Sequence, residues 1–372
     1  MRIGFDAKRV FNNFTGLGNY SRFVVDALSS YYSTNEYFLY TPKLKQHDET
    51  QKYLDGSRFT IRQPEKGKVG AWWRSFSIAE DIRKDKIDVF HGLSNELPMR
   101  KPPGLKTVLT VHDLIFLRFP EYYGMIDVTI YKWKLRNACA SADAIVAVSQ
   151  QTANDLMDFM HVDPRKIHVV HQGCHPSFYK TFSPQQIEDV RKKYELPNEF
   201  LLYVGTLEKR KNAGLIIKAL ARMKHKIPVV LVGKPTKYIA ELEGLLKRYD
   251  VRDQVKFIYN AAFADLPAFY QAASLFVYPS VFEGFGIPIV EAIASGVPVI
   301  TSNGSCFSEA GGPHCVYINP SNPEELGDAI TMVLENSGLR TTMVDGSRAY
   351  ISKFAPSVIA SDLMKVYQNI EH

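Results

Sequence analysis

Short apolar runs, rich in β-branched and aromatic residues, alternate along this chain with longer segments in which apolar residues recur at helical spacing. Such alternation is typical of parallel β-sheets whose strands are joined by crossover helices. In the first half it predicts strands over residues 2–6, 37–40, 89–91, 107–111, 144–148 and 167–170. Helices are expected between them, including residues 19–30 and residues 150–160, the second with Ser149 as its N-cap.

The second half restarts this pattern after a polar, proline-bearing stretch over residues 173–197, which we interpret as a hinge. The predicted strands cover residues 200–204, 229–232, 255–258, 275–278, 297–301 and 316–318, and the helices cover residues 184–194, 213–223, 239–248, 266–273 and 288–294. A chain of 372 residues also exceeds one hydrophobic core, which stops growing near roughly 250–300 residues. The sequence therefore predicts an α/β protein of two doubly wound parallel-sheet domains facing a cleft, with ligands at the carboxyl ends of the strands.

Composition and charge narrow the class of protein. Hydrophobic residues at 45% and charged residues at 23% exclude a disordered chain, and no apolar run approaches the about 18 residues of a membrane span. The N-terminus lacks the pattern of a secretory signal and the four cysteines form no C-x-x-C pair, so we expect a cytoplasmic protein. The net charge is +6, but lysines and arginines are dispersed, so we expect no nucleic-acid partner.

Two candidate ligand-binding positions follow strands in the first half. Gly16 and Gly18 would let the backbone approach an anion at the start of the next helix, although a tight turn without a ligand is the alternative. His112 directly follows the strand at residues 107–111 and could donate a hydrogen bond to a substrate hydroxyl. In the alternative interpretation it closes a local loop.

Three consecutive cations, Lys209, Arg210 and Lys211, follow the first strand of the second half and precede a helix. Cations beside a helix N-terminus are repelled by the helix dipole, so an anion bound between them would offset this repulsion. A diphosphate suits both the arginine fork and the lysine point charge. A solvated basic turn is the alternative interpretation.

Two glutamates flank a glycine-bearing loop that leads from a strand into a helix. Glu283 lies in the loop and Glu291 lies one turn inside the helix, so the pair could bind the two ends of one extended ligand. The amides of Phe285, Gly286 and Ile287 would add hydrogen-bond donors for hydroxyls or phosphates. The alternative is two structural carboxylates, one of them capping the helix.

Other kinds of catalytic site lack support in the sequence. The ten histidines are scattered, and the motifs H-E-x-x-H, G-x-S-x-G and the Walker loop are absent. We therefore expect no metal ion and no cofactor.

Taken in order, these segments resemble the family 4 retaining glycosyltransferases. The spacing of Glu283 and Glu291 is similar to the family signature, and residues 205–212 are similar to its phosphate-binding turn. Residues 16–20, 110–114 and 148–149 match its N-terminal landmarks. The resemblance implies a GT-B fold with two Rossmann-like domains, an acceptor-side domain over residues 1–175 and a donor domain over residues 176–353. A last helix, within residues 354–372, would cross back onto the first domain.

The resemblance also implies a role for individual residues. Glu283 would contact the donor sugar, and Glu291 would contact the ribose hydroxyls. Lys211, helped by Arg210, would neutralise the departing diphosphate, and His112 would hydrogen-bond the transferred sugar. The other implied donor contacts are Gly16, Gly18, Thr206, Tyr259, Phe285, Gly286 and Ile287, with Tyr259 where the base is recognised.

The implied reaction is the metal-independent transfer of a hexose from a nucleotide sugar to a saccharide hydroxyl, with retention of configuration, in bacterial surface-glycan synthesis. Resemblance to mannosyltransferase-like members favours GDP-mannose as the donor, ahead of UDP-sugars. A nucleotide-sugar 2-epimerase and a catalytically inactive sugar-nucleotide binding protein remain as alternatives.

A cationic, tryptophan-bearing segment suggests how the acceptor is reached. Lys66, Lys68 and Arg74 stand close to Trp72 and Trp73. Because tryptophan favours membrane interfaces and cations favour anionic lipids, the segment could dock at the inner face of the membrane, where a lipid-linked acceptor is found. In the alternative, the tryptophans begin an amphipathic helix that runs to residue 84 and buries one or both rings.

Overall fold

The computed structural model describes residues 1–65 and 70–370, which form two compact units. The first comprises Met1–Gly173 and the chain from Phe354 onward, and the second comprises Cys174–Lys353. The division lies two residues before the boundary expected at residue 175. The buried Cys174 thiol accounts for this, because its surroundings include Tyr179 and Glu291 of the second unit.

The first unit is built on a parallel sheet of seven strands within the described part of the chain, in the order β3-β2-β1-β4-β5-β6-β7. Its strands are β1 (Arg2–Asp6), β2 (Glu36–Tyr40), β3 (Phe59–Arg62), β4 (Val89–Gly92), β5 (Lys106–Val111), β6 (Ala144–Ala147) and β7 (Ile167–Val169). The order of its first strands is that of a doubly wound sheet, whose topology reverses beside β1.

Helices surround this sheet. They are α1 (Lys8–Asn12), α2 (Gly16–Tyr31), α3 (Asp48–Gln51), α4 (Gly70–Trp72), α5 (Ile78–Lys84), α6 (Ile115–Arg118), α7 (Met125–Ser141) and α8 (Gln150–Met160), with a π-helical turn over Trp73–Ser77. The predicted cap of α8 is confirmed, because the Ser149 side chain accepts a hydrogen bond from the Thr152 amide.

The second unit repeats the architecture with a six-stranded parallel sheet in the described chain, ordered β10-β9-β8-β11-β12-β13. Its strands are β8 (Leu201–Val204), β9 (Val229–Val232), β10 (Val255–Ile258), β11 (Leu275–Tyr278), β12 (Val299–Ser302) and β13 (Val316–Ile318). Its helices are α9 (Pro184–Lys193), α10 (Ala213–Leu220), α11 (Ile239–Tyr249), α12 (Leu266–Ala272), α13 (Ile287–Ala294), α14 (Phe307–Gly311), α15 (Pro323–Glu335) and α16 (Ser337–Ile351). The predicted fold class, two doubly wound parallel α/β domains, is confirmed.

The last helix, α17 (Pro356–Asn369), belongs to the first unit, where it packs on α2. Its Tyr367 hydroxyl lies 2.6 Å from Nδ1 of His91, and both groups are buried. Nε2 of His91 lies 2.8 Å from the Thr110 hydroxyl, which in turn lies 3.1 Å from that of Tyr20. A buried polar chain therefore ties α17 to β4, β5 and α2. Among residues 1–65 and 70–370, no helix combines the length and apolar character of a membrane span.

Candidate active site

The loop that follows β11 buries a carboxylate at the carboxyl edge of the second sheet. Glu283 is 8% exposed, and its Oε1 accepts hydrogen bonds from the Tyr278 hydroxyl at 2.8 Å and the Ser280 hydroxyl at 2.9 Å. Tyr278 is the last residue of β11. The strand end and the loop together therefore fix this carboxylate.

Two cations from the turn after β8 meet the same carboxylate. Nζ of Lys211 lies 3.1 Å from Oε1 of Glu283, and Nη1 of Arg210 lies 2.9 Å from Oε2. Burial alone would raise the pKa of Glu283, but the two cations and the hydrogen bonds outweigh it and lower this pKa to about 2. The carboxylate is ionised at neutral pH, and its negative charge faces two fixed positive charges.

The basic turn is held in place by contacts with the neighbouring loops. Asn212, at φ 58°, donates from Nδ2 to the carbonyl oxygens of Pro279 at 3.0 Å and Pro320 at 2.8 Å. Arg210 donates to the Phe282 carbonyl oxygen and, at 2.6 Å, to Oε1 of Glu208. The alternative of a solvated basic turn is wrong for Arg210 and Lys211, whose side chains are 13% and 15% exposed.

The anion that offsets these cations in the structure is part of the chain itself. We expected an external anion beside Lys209, Arg210 and Lys211, but Glu283 and Glu208 fill that role here. Lys209 is exposed, unlike its two neighbours. Thr206 follows β8 at the same edge, and its carbonyl oxygen lies 3.4 Å from the Tyr203 hydroxyl.

Glu291 is buried separately inside α13. Its Oε2 accepts a hydrogen bond from the Tyr270 hydroxyl at 2.9 Å, and burial raises the pKa of this carboxyl to about 7. The alternative interpretation, in which one structural carboxylate caps the helix, is wrong, because the N-cap of α13 is Gly286 and no side chain caps it. Glu291 is the fifth residue of the helix, too far along it to reach the first amides.

The start of α13 presents backbone amides at this edge. Gly286 has φ 101°, a left-handed conformation that favours glycine, and the helix begins directly after it. Among the described residues, the amides of Gly286 and Ile287 have no hydrogen-bond acceptor. The Cys306 thiol fixes the loop, lying 3.0 Å from the Phe285 carbonyl oxygen and 3.2 Å from that of Glu283. An oxygen-rich ligand is the natural partner for such amides.

The structure does not bring Tyr259 into contact with this group. It follows β10, stacks on Phe257 with ring centroids 5.9 Å apart, and is 40% exposed. Three strand spacings separate β10 from β11, or about 14 Å at the usual spacing of parallel strands. Only an extended ligand would reach both Tyr259 and Glu283.

The two glycines of the first unit have different surroundings. A Cβ on Gly18 would lie 1.7 Å from the Asn13 carbonyl oxygen, and the Gly18 amide donates to Oδ1 of Asn13 at 3.1 Å. A Cβ on Gly16, the first residue of α2, would meet nothing within 4 Å. Gly18 therefore serves the turn, while Gly16 leaves open space at the start of a 16-residue helix.

His112 is buried beside Tyr20 and has partners on both ring nitrogens. Nε2 donates to the Leu93 carbonyl oxygen at 2.9 Å, and Nδ1 accepts from Nε2 of Gln172 at 3.0 Å. Burial lowers the pKa of the ring to about 4, so His112 is neutral at pH 7. A sugar hydroxyl could reach the ring only by replacing one of these partners.

The two tryptophans of the cationic segment have different environments. Trp73 is 1% exposed, packs with Phe38 and Ile82 and donates to Oδ2 of Asp81 at 2.7 Å, whereas Trp72 is exposed. Arg74 is paired with Asp6 and is no free surface cation. Lys66 and Lys68 lie outside the described residues.

Sequence reasoning missed the hydroxyl partners of the two glutamates. Tyr278 and Tyr270 are both fully buried, and their hydroxyls need an acceptor there. The sequence did contain one signal for such a partner, because Tyr278 ends a buried strand directly before a polar loop. Among the described residues, no group of three or more histidine, cysteine, aspartate or glutamate side chains could hold a metal ion.

Two family models match the chain, one in each half. Residues 16–178 match "Glycosyltransferase Family 4" and residues 186–350 match "Glycosyl transferases group 1". The O-antigen chain mannosyltransferase B of Escherichia coli is 26% identical over 383 residues, covering 99% of this chain and all of that protein. The serotype-specific mannosyltransferase WbdA of Escherichia coli is 28% identical over 290 residues, which cover 75% of this chain and 36% of that protein.

Solved structures share the fold. Anabaena Alr3699/HepE, in complex with UDP and glucose, superposes with a TM-score of 0.77 at 18% identity, covering 99% of this chain and all of that one. This likeness agrees with the GT-B architecture that the sequence implied.

Proposed function

Since this chain belongs to the glycosyltransferases, with a Family 4 region followed by a group 1 region, we propose that it transfers mannose from GDP-mannose to a saccharide hydroxyl. The transfer retains the anomeric configuration and requires no metal ion. The observation that carries the proposal is the buried cluster of Glu283, Arg210 and Lys211 at the carboxyl edge of the second sheet.

The cluster supports a reaction in which a nucleoside diphosphate leaves. The bond from the sugar C1 to the diphosphate oxygen breaks and its electron pair stays on that oxygen. The acceptor hydroxyl forms the new bond to C1 on the same face and gives its proton to the departing diphosphate oxygen. Fixed cations such as Lys211 and Arg210 stabilise the negative charge that develops on the leaving group. Glu283 contacts the sugar and holds both cations in position until the diphosphate binds.

The start of α13 supports the rest of the donor site. The amides of Gly286 and Ile287, with that of Phe285, bind sugar hydroxyls or phosphate, and the helix dipole favours an anion there. Glu291 binds the ribose hydroxyls, and Tyr259 lies near the base. Thr206 belongs to the phosphate end of the site. For Gly16, Gly18 and His112 of the first unit, the roles toward the diphosphate and the sugar rest on the family resemblance alone.

The choice of donor rests on relatives. The similar proteins named mannosyltransferases favour mannose, whereas the similar fold solved with UDP and glucose makes UDP the main competitor. Thermal denaturation with GDP, UDP and ADP tests the base. A ligand at 100 times its Kd stabilises the folded state by about 2.7 kcal/mol. A rise in Tm with UDP and no change in Tm with GDP would overturn the GDP-mannose assignment.

The reaction type has its own test. The protein is incubated with GDP-mannose, with and without a mannose-containing oligosaccharide, and nucleotides are separated by chromatography. Transfer predicts free GDP in proportion to the acceptor added. A new nucleotide sugar without free GDP would instead identify an epimerase.

The acceptor is a saccharide, in its lipid-linked form, of bacterial surface-glycan synthesis. Such an acceptor requires the enzyme to work at the inner face of the membrane as a peripheral protein. The burial of Trp73 and the pairing of Arg74 reduce the support for docking through residues 66–74.

A further inference from the structure

The first unit carries a helix whose first half projects into solvent although its side chains are largely apolar. Thirteen of the fourteen residues from 121 to 134 are exposed. Met125 is 88% exposed, Ile126 is 77% exposed and Trp133 is 55% exposed. Large exposed apolar side chains in one contiguous group mark an interaction surface, because isolated ones are the norm elsewhere.

The helix α7 has two apolar faces. Its inner face packs Val128, Leu135 and Cys139 against the core of the first unit. Ile126, Ile130 and Trp133, at spacings of four and three residues, share the opposite side, which we call the outer face. The inner face accounts for the folding of the helix, so the outer face requires another explanation.

Charge and residue type indicate what covers the outer face. Lys132, Lys134 and Arg136 flank it, against one acidic residue in the helix, Asp127. Tyr131 of the helix and the two tyrosines just before it, Tyr122 and Tyr123, are also exposed. A helix with an apolar outer face, flanking cations and aromatic residues has the composition of a segment that lies in the interface of an anionic membrane.

We propose that the outer face of α7 docks this protein on an anionic membrane surface. Ile126, Ile130 and Trp133 enter the boundary between headgroups and acyl chains, and Lys132 and Arg136 bind the headgroup phosphates. Among the described residues, neither of these two cations has an ion-pair partner within the chain. This surface is a different one from that predicted around Trp72 and Trp73.

Docking here would bring a lipid-linked acceptor to a cavity lined by both charged and apolar side chains. A cavity of about 480 Å³ opens where the outer face ends, lined by Trp133 and Asn137 of α7 and by Asp6, Arg74 and Glu96. Nδ2 of Asn137 is shielded from solvent and has no hydrogen-bond partner in the described chain. The volume, with a few charged and polar groups among apolar side chains, suits the saccharide end of such an acceptor. The inference about the acceptor therefore rests on the proposed function. It identifies the surface by which the proposed enzyme would bind the membrane.

Co-sedimentation with vesicles of phosphatidylglycerol and phosphatidylcholine in equal parts tests the docking. The wild-type protein is expected to bind at low salt and to be released at high salt, because screening weakens the contacts of Lys132 and Arg136. Ile126→Asp/Ile130→Asp and Lys132→Glu/Arg136→Glu should each lower the bound fraction about tenfold or more. Met332→Asp and Lys224→Glu/Lys226→Glu, exposed positions of the second unit, are the matched controls and should bind like the wild type.

Three outcomes would overturn the proposal. They are absence of wild-type binding at low salt, undiminished binding of Ile126→Asp/Ile130→Asp, and a dimer in size-exclusion chromatography that this variant abolishes without any vesicle binding. The last would assign the outer face to a second copy of the chain. Thermal shifts with GDP and UDP are recorded on every variant. Vesicle binding without a nucleotide shift in the wild type would leave docking intact and count against the proposed donor site.

Discussion

Nζ of Lys211 lies 3.1 Å from Oε1 of Glu283, so the cation expected to meet the diphosphate and the carboxylate expected to meet the sugar form one ion pair. Both side chains are largely buried, and the Tyr278 hydroxyl bridges them, accepting from Nζ at 2.8 Å and donating to Oε1 at 2.8 Å. Together with Glu208, which pairs with Arg210, two carboxylates meet these two cations before any ligand binds. In the proposed reaction, an arriving diphosphate would compete with Glu283 for Lys211 and so free the carboxylate to accept a hydrogen bond from the sugar.

Lys211→Ala is expected to lower kcat by roughly 100- to 1,000-fold, by analogy with the loss of one oxyanion-hole donor. Glu283→Gln should cause a similar loss, because the amide leaves Lys211 without its charged partner and leaves Arg210 paired with Glu208 alone. Steady-state kinetics of GDP release with saturating donor and acceptor measure both. Circular dichroism shows whether each variant keeps its fold.

Lys209→Ala is the matched control, since Lys209 belongs to the same turn but is exposed. It should retain wild-type kcat within about a factor of three, as expected for a surface substitution worth less than about 0.5 kcal/mol. Wild-type turnover in Lys211→Ala would remove Lys211 from the site. An equal loss in Lys209→Ala would transfer the phosphate contact to Lys209.

The sequence predicted helices and strands best where a local signal exists. Helix α8 begins as expected because Ser149 caps its N-terminus, and it ends as expected before His161, which is left-handed. Strand β3 was missed because only Phe59 of its four residues is buried, so no apolar run marks it. Helix α7 was missed because its apolar residues are distributed over two opposite faces, which removes the single stripe that identifies a helix.

The site was predictable in its charged residues and not in their partners. Glu283, Lys211 and Arg210 follow strand ends, and neighbouring parallel strands such as β8 and β11 bring such residues to one edge. Which cation turns inward depends on the backbone of a short turn, so the sequence left Lys209 and Arg210 equivalent. The pairing of Glu291 with Tyr270 depends on how α12 packs beside α13, which no spacing along the chain records.

Glu291→Gln should remove the contribution of this carboxyl group to the pH dependence of stability. Burial raises the pKa of Glu291 from 4.5 to about 7 in the folded state, so between these values the folded protein keeps a proton that the unfolded chain has released. Its contribution to the free energy of unfolding therefore falls as pH rises from 4.5 to 7 and is constant above. At about 1.4 kcal/mol for each pH unit, the full effect is on the order of 3 kcal/mol.

The measurement is the difference in Tm between Glu291→Gln and the wild type from pH 4.5 to 8, without ligand. The wild-type curve alone is insufficient because burial lowers the pKa of His91 to about 3 and of His112 to about 4, and both destabilise the fold as pH falls below 6.5. Relative to wild type, the variant should gain stability as pH rises. Glu335→Gln, at an exposed carboxylate, controls for loss of surface charge. A pH-independent difference would contradict the raised pKa.

Excess EDTA should leave the transfer rate unchanged, because Lys211, Arg210 and the amides at the start of α13 supply the positive charge that a metal ion would otherwise provide. Initial rates of GDP release are compared in EDTA and in EDTA presaturated with Mg²⁺. Complete loss of activity in EDTA, restored by added Mg²⁺ or Mn²⁺, would mean that a metal ion takes part in the reaction.

Gly16→Ala and Gly18→Ala should separate binding from folding. The Cβ of Gly18→Ala would meet the Asn13 carbonyl oxygen, a backbone atom that cannot move without opening the turn, so we expect a loss of roughly 1–3 kcal/mol of stability. Gly16 has open space, so alanine there should leave Tm unchanged or slightly higher, since it restricts the unfolded chain. If the diphosphate passes close to this turn, the methyl group of Gly16→Ala should nevertheless weaken GDP binding, measured by calorimetry. Wild-type affinity in Gly16→Ala would exclude a diphosphate contact at Gly16.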